Sequence, residues 1–216
     1  YSSAASDVYK RQPLTNRHYR KTWPELANQL QGDAFSAVAE NSLHFASLKR
    51  VLQALAAADI APVILKGAAL AEAAYGDMSL RPMSDVELWV EEHNVFPAVE
   101  AIQTLGYVPD LKEDRPLELQ KLLGGEVELM HSKWTQGMVD LHWSPFHGWW
   151  YQRTATINEA EAWQRKEPIT VAGMDGYRLS AEDMIIHLAV HLSVNAHFGP
   201  HTAIRTLIDI AFAAQA

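Results

Sequence analysis

LKGAALAEAAYGDMSLRPMSDVELWV, residues 65–90, sets two segments of different period side by side. The first half, AALAEAAY (68–75), is dominated by alanine and predicts a helix that Gly76 closes. The second, DVELWV (85–90), alternates as a strand does. Val86, Leu88 and Val90 share one face, and Asp85, Glu87 and Trp89 share the other. Asp85 and Glu87 therefore stand about 7 Å apart along one face, where like charges repel unless a cation neutralises them. A hard divalent ion does so naturally, because Mg²⁺ takes oxygen from one or two carboxylates together with substrate phosphates. Two such ions about 4 Å apart can clamp the entering and leaving oxygens of an in-line phosphoryl displacement.

Upstream, Leu48, Val51, Leu52 and Leu55 recur at helical spacing and predict a helix over 34–59. VILK (63–66) reads as a short buried strand that runs into Lys66-Gly67. Gly67 permits close approach of backbone to a ligand, and the helix opening at Ala68 offers free N–H groups and a positive dipole end to phosphate. Lys66 and Arg81 can neutralise further phosphate charge, although Arg81 can equally pair with Asp77 or Asp85.

Downstream, a helix over 94–105 stops at Gly106, and a short helix follows near 116–123. EVELMHS and MVDLHWS flank KWTQG as a hairpin, and PITVAGMDGYRLS predicts a second one turning at Asp175-Gly176. Ser180 and Asp183 form a capping-box-like start to a long helix, and a last helix begins near residue 201. The class is α+β. Asp140 lies between Val139 and Leu141, with His142 beside it on the same face, so it can supply a third oxygen ligand or accept a hydroxyl proton. Glu128, on the facing hairpin strand, is either a fourth acid or an ordinary cross-strand partner. Trp89 flanks a base or packs. Asp209 reads as a buried helix residue.

The order LKG, then RPMSDVEL, then VDLHW resembles the uncharacterised bacterial nucleotidyltransferases of the DNA polymerase β-like superfamily, over roughly residues 40–212. The resemblance implies a polymerase β-like core and a mostly helical lobe after it. It also implies transfer of a nucleoside monophosphate from an NTP, the donor substrate, to an acceptor hydroxyl, with Mg²⁺ or Mn²⁺ as cofactor. Asp85, Glu87 and Asp140 become the catalytic, metal-binding carboxylates, and Lys66, Gly67, Ala68 and Arg81 the phosphate-binding set. The superfamily's Gly-Ser pair is Gly67-Ala68 here, which predicts weaker phosphate binding, and Glu87 stands where Asp is common. A catalytically silent relative that binds nucleotide or a protein partner is the alternative.

Composition bounds these readings. The net charge of −8 divides into +4 over residues 1–24, where five basic residues face Asp7 alone, and −12 over the rest. An acidic body lacks the footprint of sequence-independent nucleic-acid binding, so nucleic acid is not an expected partner. There are no cysteines, hence no disulfide framework and no thiolate nucleophile, which suits a cytoplasmic compartment. No apolar run approaches membrane-spanning length. His187 and His191, four apart on one helix, have zinc-compatible spacing but lack the glutamate of H-E-x-x-H, so packing is the reading preferred. Residues 1–24 read as a disordered or non-native leader, 25–145 as the core, and 146–216 as a hairpin plus helical lobe that stops inside a helical pattern.

Overall fold

The computed structural model describes residue 24 and residues 31–75, 80–111, 115–133, 137–146, 156–194 and 200–215. Among the described residues, seven strands form one mixed sheet and are interspersed along the chain with seven α-helices. Helix α1 (Gln31–Ala57) buries the predicted stripe of Leu48, Val51, Leu52 and Leu55 and starts three residues earlier than its periodicity suggests. Strand β1 (Val63–Ile64) leads into α2 (Lys66–Ala73), β2 (Asp85–Trp89), α3 (Val95–Gln103) and β3 (Tyr107–Asp110). Then come α4 (Leu117–Leu123), β4 (Glu126–His131), β5 (Met138–His142), α5 (Glu159–Gln164), β6 (Glu167–Val171), β7 (Met174–Arg178), α6 (Ala181–Val194) and α7 (Pro200–Ala213).

The strand order is β3-β4-β5-β2-β1-β7-β6. Strand β2 sits near the centre, antiparallel to β1 and parallel to β5. Val86 through Trp89 are all buried, so the acids are carried by a strand covered on both faces, not one with a solvated face. That placement makes their charge a structural problem in need of a partner.

Several local expectations change. The strand after Pro62 ends at Ile64, and Lys66 opens the helix two residues before Ala68. Leu65 N–H donates to the Glu87 carbonyl at 2.9 Å, which ties this junction to β2. Strand β3 was not expected. It contains Pro109, which its outer position tolerates because the missing N–H need not pair. Helix α5 was also not expected; Asn158 caps it by accepting from Glu161 N–H.

The second hairpin turns at Ala172-Gly173, not at Asp175-Gly176. Both turn residues have positive φ, +54° and +73°, which suits the right-handed twist of a two-residue hairpin. Gly176 instead lies inside β7, where an added Cβ would stand 3.2 Å from Ile64 Cδ1. The hairpin joins the sheet through β7, parallel to β1. Asp77, the KWTQG loop residues 134–136, residues 147–155 and the leader other than Pro24 lie outside the described residues.

Candidate active site

The parallel register of β2 on β5 pairs Glu87 with Asp140 and Asp85 with Met138. Side chains of paired residues leave the sheet on the same side, and Asp85 is two residues back along β2, so the three acids share one face. One carboxylate oxygen from each of the three lies within 4.8 Å of the other two. Strand β4 sets Glu128 opposite Asp140 and Glu126 opposite His142. A cavity of about 210 Å³ opens on this cluster, lined also by Lys66, Gly67, Arg81 and Arg205.

The charges are unevenly matched. Lys66 Nζ meets Glu87 Oε1 at 2.5 Å, and both side chains are buried. Burial alone would push the Glu87 carboxyl up, but Lys66, with His142 and His187 nearby, brings it down to about 2. Asp140 has no such partner. Burial, then Asp85, Glu87, Glu126 and Glu128, push it up to about 8. Its Oδ1 is buried with no hydrogen-bond partner among the described residues. Asp85 accepts from the Ser84 hydroxyl at 3.1 Å. An unpaired buried carboxylate oxygen inside a ring of acids fits a divalent cation, which would supply the missing positive partner. Among the described residues no other group of three or more His, Cys, Asp or Glu can hold an ion together, so His187 and His191 find no third ligand for zinc.

The residues expected around phosphate are gathered here, with altered partners. Lys66 adopts φ +25°, a conformation L-residues rarely take, and in it turns its ammonium onto Glu87. Gly67 does admit a close neighbour, but that neighbour is protein: a Cβ there would stand 2.9 Å from Arg81 Nη1 and 3.1 Å from Met83. Among the described residues Arg81 pairs with Asp209 and not with Asp85, while Asp77 lies outside them. Its Nε and Nη2 donate to the two carboxylate oxygens of Asp209 on α7, at 3.1 and 2.8 Å. Tyr75 donates to the same carboxylate at 2.7 Å. Asp209 is thus a buried helix residue, 1% exposed, that anchors a cation of the site. Ala68 is buried, and Leu65 at the N-cap brings no side-chain acceptor to the first-turn N–H groups of α2.

Trp89 packs. It is buried, its indole N–H donates to the Trp143 carbonyl, and it meets Phe146 and Trp163 edge-on. His142 Nδ1 lies 3.1 Å from Glu126 Oε2, a partnership the sequence does not advertise, since Glu126 is sixteen residues upstream. Burial lowers His142, only partly offset by Glu126 and Glu87. Burial likewise lowers His187 well below the usual imidazole range and takes His191 to about 4.

Residues 12–216 match the model of a protein family described as uncharacterised nucleotidyltransferase. No curated protein matches the sequence. Among solved structures, the antibiotic-resistance factor ANT(2'')-Ia aligns with a TM-score of 0.54 at 17% identity, covering 81% of this chain and 84% of that one. The lincosamide antibiotic adenylyltransferase LnuA, determined with lincomycin bound, aligns with a TM-score of 0.43 at 10% identity, covering 65% and 82%. At 17% identity, the likeness to ANT(2'')-Ia is one of fold, and the fold is the polymerase β-like nucleotidyltransferase fold expected from the sequence.

Proposed function

The chain belongs to the uncharacterised nucleotidyltransferase family, and from that membership we propose that it moves a nucleoside monophosphate from an NTP to an acceptor hydroxyl at the Asp85–Glu87–Asp140 cluster. The observation that carries this reading is the convergence of three carboxylates within 4.8 Å, one of them with an orphaned buried oxygen. Asp85, Glu87 and Asp140 would hold Mg²⁺ or Mn²⁺, whose chemistry is to neutralise charge on the phosphate oxygens during displacement. The rest of the work falls to the chain. The Asp140 carboxylate also takes the proton of the acceptor hydroxyl as the hydroxyl oxygen bonds to the α-phosphorus. The bond from that phosphorus to the bridging oxygen breaks, and pyrophosphate leaves with the electron pair. Lys66, Arg81 and Arg205 line the cavity at the cluster, and their positive charge would favour a triphosphate there. The N–H groups opening α2 replace the hydroxyl that Ala68 lacks. In this reading, residues 25–145 hold the acids, and residues 146–216 wall the cleft through α6 and α7.

The decisive experiment is nucleotide binding with Mg²⁺ by thermal shift and calorimetry, using wild type and Asp85→Asn. Binding lost in the variant supports the reading; an unchanged metal-plus-NTP response counts against it. A second reading, a nucleotide-binding relative without transfer activity, is favoured by the Lys66–Glu87 ion pair, which occupies a carboxylate that metal would need. Pyrophosphate release across a panel of acceptors, abolished in Asp140→Asn, excludes that second reading.

A further inference from the structure

A second cavity, of about 280 Å³, adjoins the acid cluster and shares Lys66, Glu126 and His191 with it. It lies toward the ends of the strands beyond the acids, because its wall carries His142, two residues past Asp140 on β5, and the Gly124-Gly125 pair that leads into β4. Two buried histidines line it with ring nitrogens unpaired among the described residues. His187 is 3% exposed, and both its nitrogens lack partners; His142 is 7% exposed, and its Nε2 lacks one. Buried polar atoms are satisfied in the great majority of cases, so three orphans on two residues that line one cavity point to a partner from outside the chain.

The donor and acceptor pattern restricts what that is. His142 Nδ1 faces Glu126 Oε2 at 3.1 Å, and a carboxylate can only accept. Nδ1 therefore carries the hydrogen, and Nε2 offers a lone pair to an incoming O–H or N–H. His187 offers one donor and one acceptor. A phosphate, which has acceptors alone, leaves the His142 lone pair unmet; two ring hydroxyls can satisfy both histidines, since each donates one hydrogen bond and accepts others. Leu123, Pro145 and Val190 give the wall an apolar surface for ring carbons, and Phe146 braces the His187 ring edge-on at 5.5 Å. The volume suits a single ring with its substituents, not a large ligand.

We infer that this histidine cavity is a recognition pocket for a hydroxyl-bearing ring of a substrate, in which His142 accepts a hydroxyl hydrogen bond and His187 gives and takes one. The inference rests on the nucleotidyl-transfer reading, which sets phosphate chemistry next door at the acids. The ring has two sources of the same chemistry, the ribose of the donor nucleotide or the acceptor, and the experiment separates them.

The full chain, with Mg²⁺, is titrated calorimetrically with the four ribonucleoside triphosphates and their 2′,3′-dideoxy counterparts. Wild type is compared with His142→Phe, His187→Leu and His187→Gln. In a second arm, thermal shift is read with uncharged cyclic polyols, glucose and myo-inositol, in the presence of a dideoxy triphosphate. If the ring is ribose, wild type favours a ribonucleotide over its dideoxy form by tenfold or more, on the scale of one lost pair of hydrogen bonds. His142→Phe and His187→Leu erase that preference, and His187→Gln, which keeps a donor and an acceptor, restores part of it. If the ring belongs to the acceptor, nucleotide affinity is the same throughout, and a polyol shift in wild type vanishes in the two apolar variants. His187→Leu should melt no lower than wild type, because it removes unpaired polar atoms from the interior. A strongly lowered melting temperature in His187→Leu together with retained ring discrimination overturns the inference, as does the absence of both a ribose preference and a polyol shift in wild type. Failure of wild type to bind any Mg²⁺-triphosphate is a different result, one that removes the transfer reading itself.

Discussion

Replacing Asp140 by Asn should stabilise the metal-free protein while abolishing its response to metal. In the fold, burial and four neighbouring carboxylates push the Asp140 carboxyl up to about 8, against about 3.9 in an unfolded chain. Below the unfolded value both states hold the proton and nothing is lost. As pH rises from there, the unfolded chain releases its proton and the fold resists doing so. Stability therefore falls, and the loss is complete once pH passes the folded value of about 8. An amide at this position is free of that loss. Its advantage should be absent below about pH 4, grow from mild acid through neutrality and level off in mild base. The size follows from geometry: two carboxylates within 4.8 Å repel by about 3 kcal/mol at an effective dielectric near 20. Lys66 already offsets Glu87, and Asp85 and Asp140 are partly exposed, so ~1–3 kcal/mol is the expected gain. For a domain of this size that is a rise in melting temperature of roughly 3–10 °C. Calorimetry or circular-dichroism melts across this pH range, in chelator and then with millimolar Mg²⁺ or Mn²⁺, read it directly. Metal should raise wild type and leave Asp140→Asn nearly unmoved. The reasoning is refuted if the metal-free variant melts at or below wild type in mild base and metal shifts both equally.

Three further outcomes follow from contacts around the site. Asp209→Ala strips a buried Arg81 of its bidentate partner, and denaturant unfolding should register a loss of about 3–5 kcal/mol, because the guanidinium stays buried without its anion. Gly67→Ala puts a methyl 2.9 Å from Nη1 of the Arg81 guanidinium, which Asp209 holds in place through Nε and Nη2; the same assay should show a loss of roughly 1–3 kcal/mol from overpacking. Ala172→Asn acts in the other direction, since position 172 sits at φ +54° in the β6–β7 turn, where Asn is better tolerated than Ala, and a gain of about 1 kcal/mol is expected.

Much of the site was legible because its signal is local. Asp85 and Glu87 are two apart on an alternating strand, and VDLHW repeats that alternation around Asp140, so the shared face of each segment follows from the period alone. The helical stripe of α1 and the Ser180–Asp183 cap are of the same kind: Asp183 N–H donates to the Ser180 hydroxyl at 3.2 Å. The hairpin at 167–178 was legible as a hairpin but not in register. Asp-Gly is the stronger turn signal, yet the packing of Gly176 against Ile64 of β1 takes that pair into the strand. Strand β3 was hidden by Pro109, which argues against a strand until an outer position makes it harmless.

Sequence alone therefore determined which residues are the candidates for the chemistry and which local segments present them, because periodicity and turn chemistry act over a few neighbours. Tertiary structure decided who partners whom: Lys66 with Glu87, Arg81 with Asp209, His142 with Glu126, and Asp140 with nothing in the described chain. Those choices join positions between 16 and 128 residues apart. They depend on strand order and helix docking, and the energy of a buried charge is set by whatever the whole fold brings beside it.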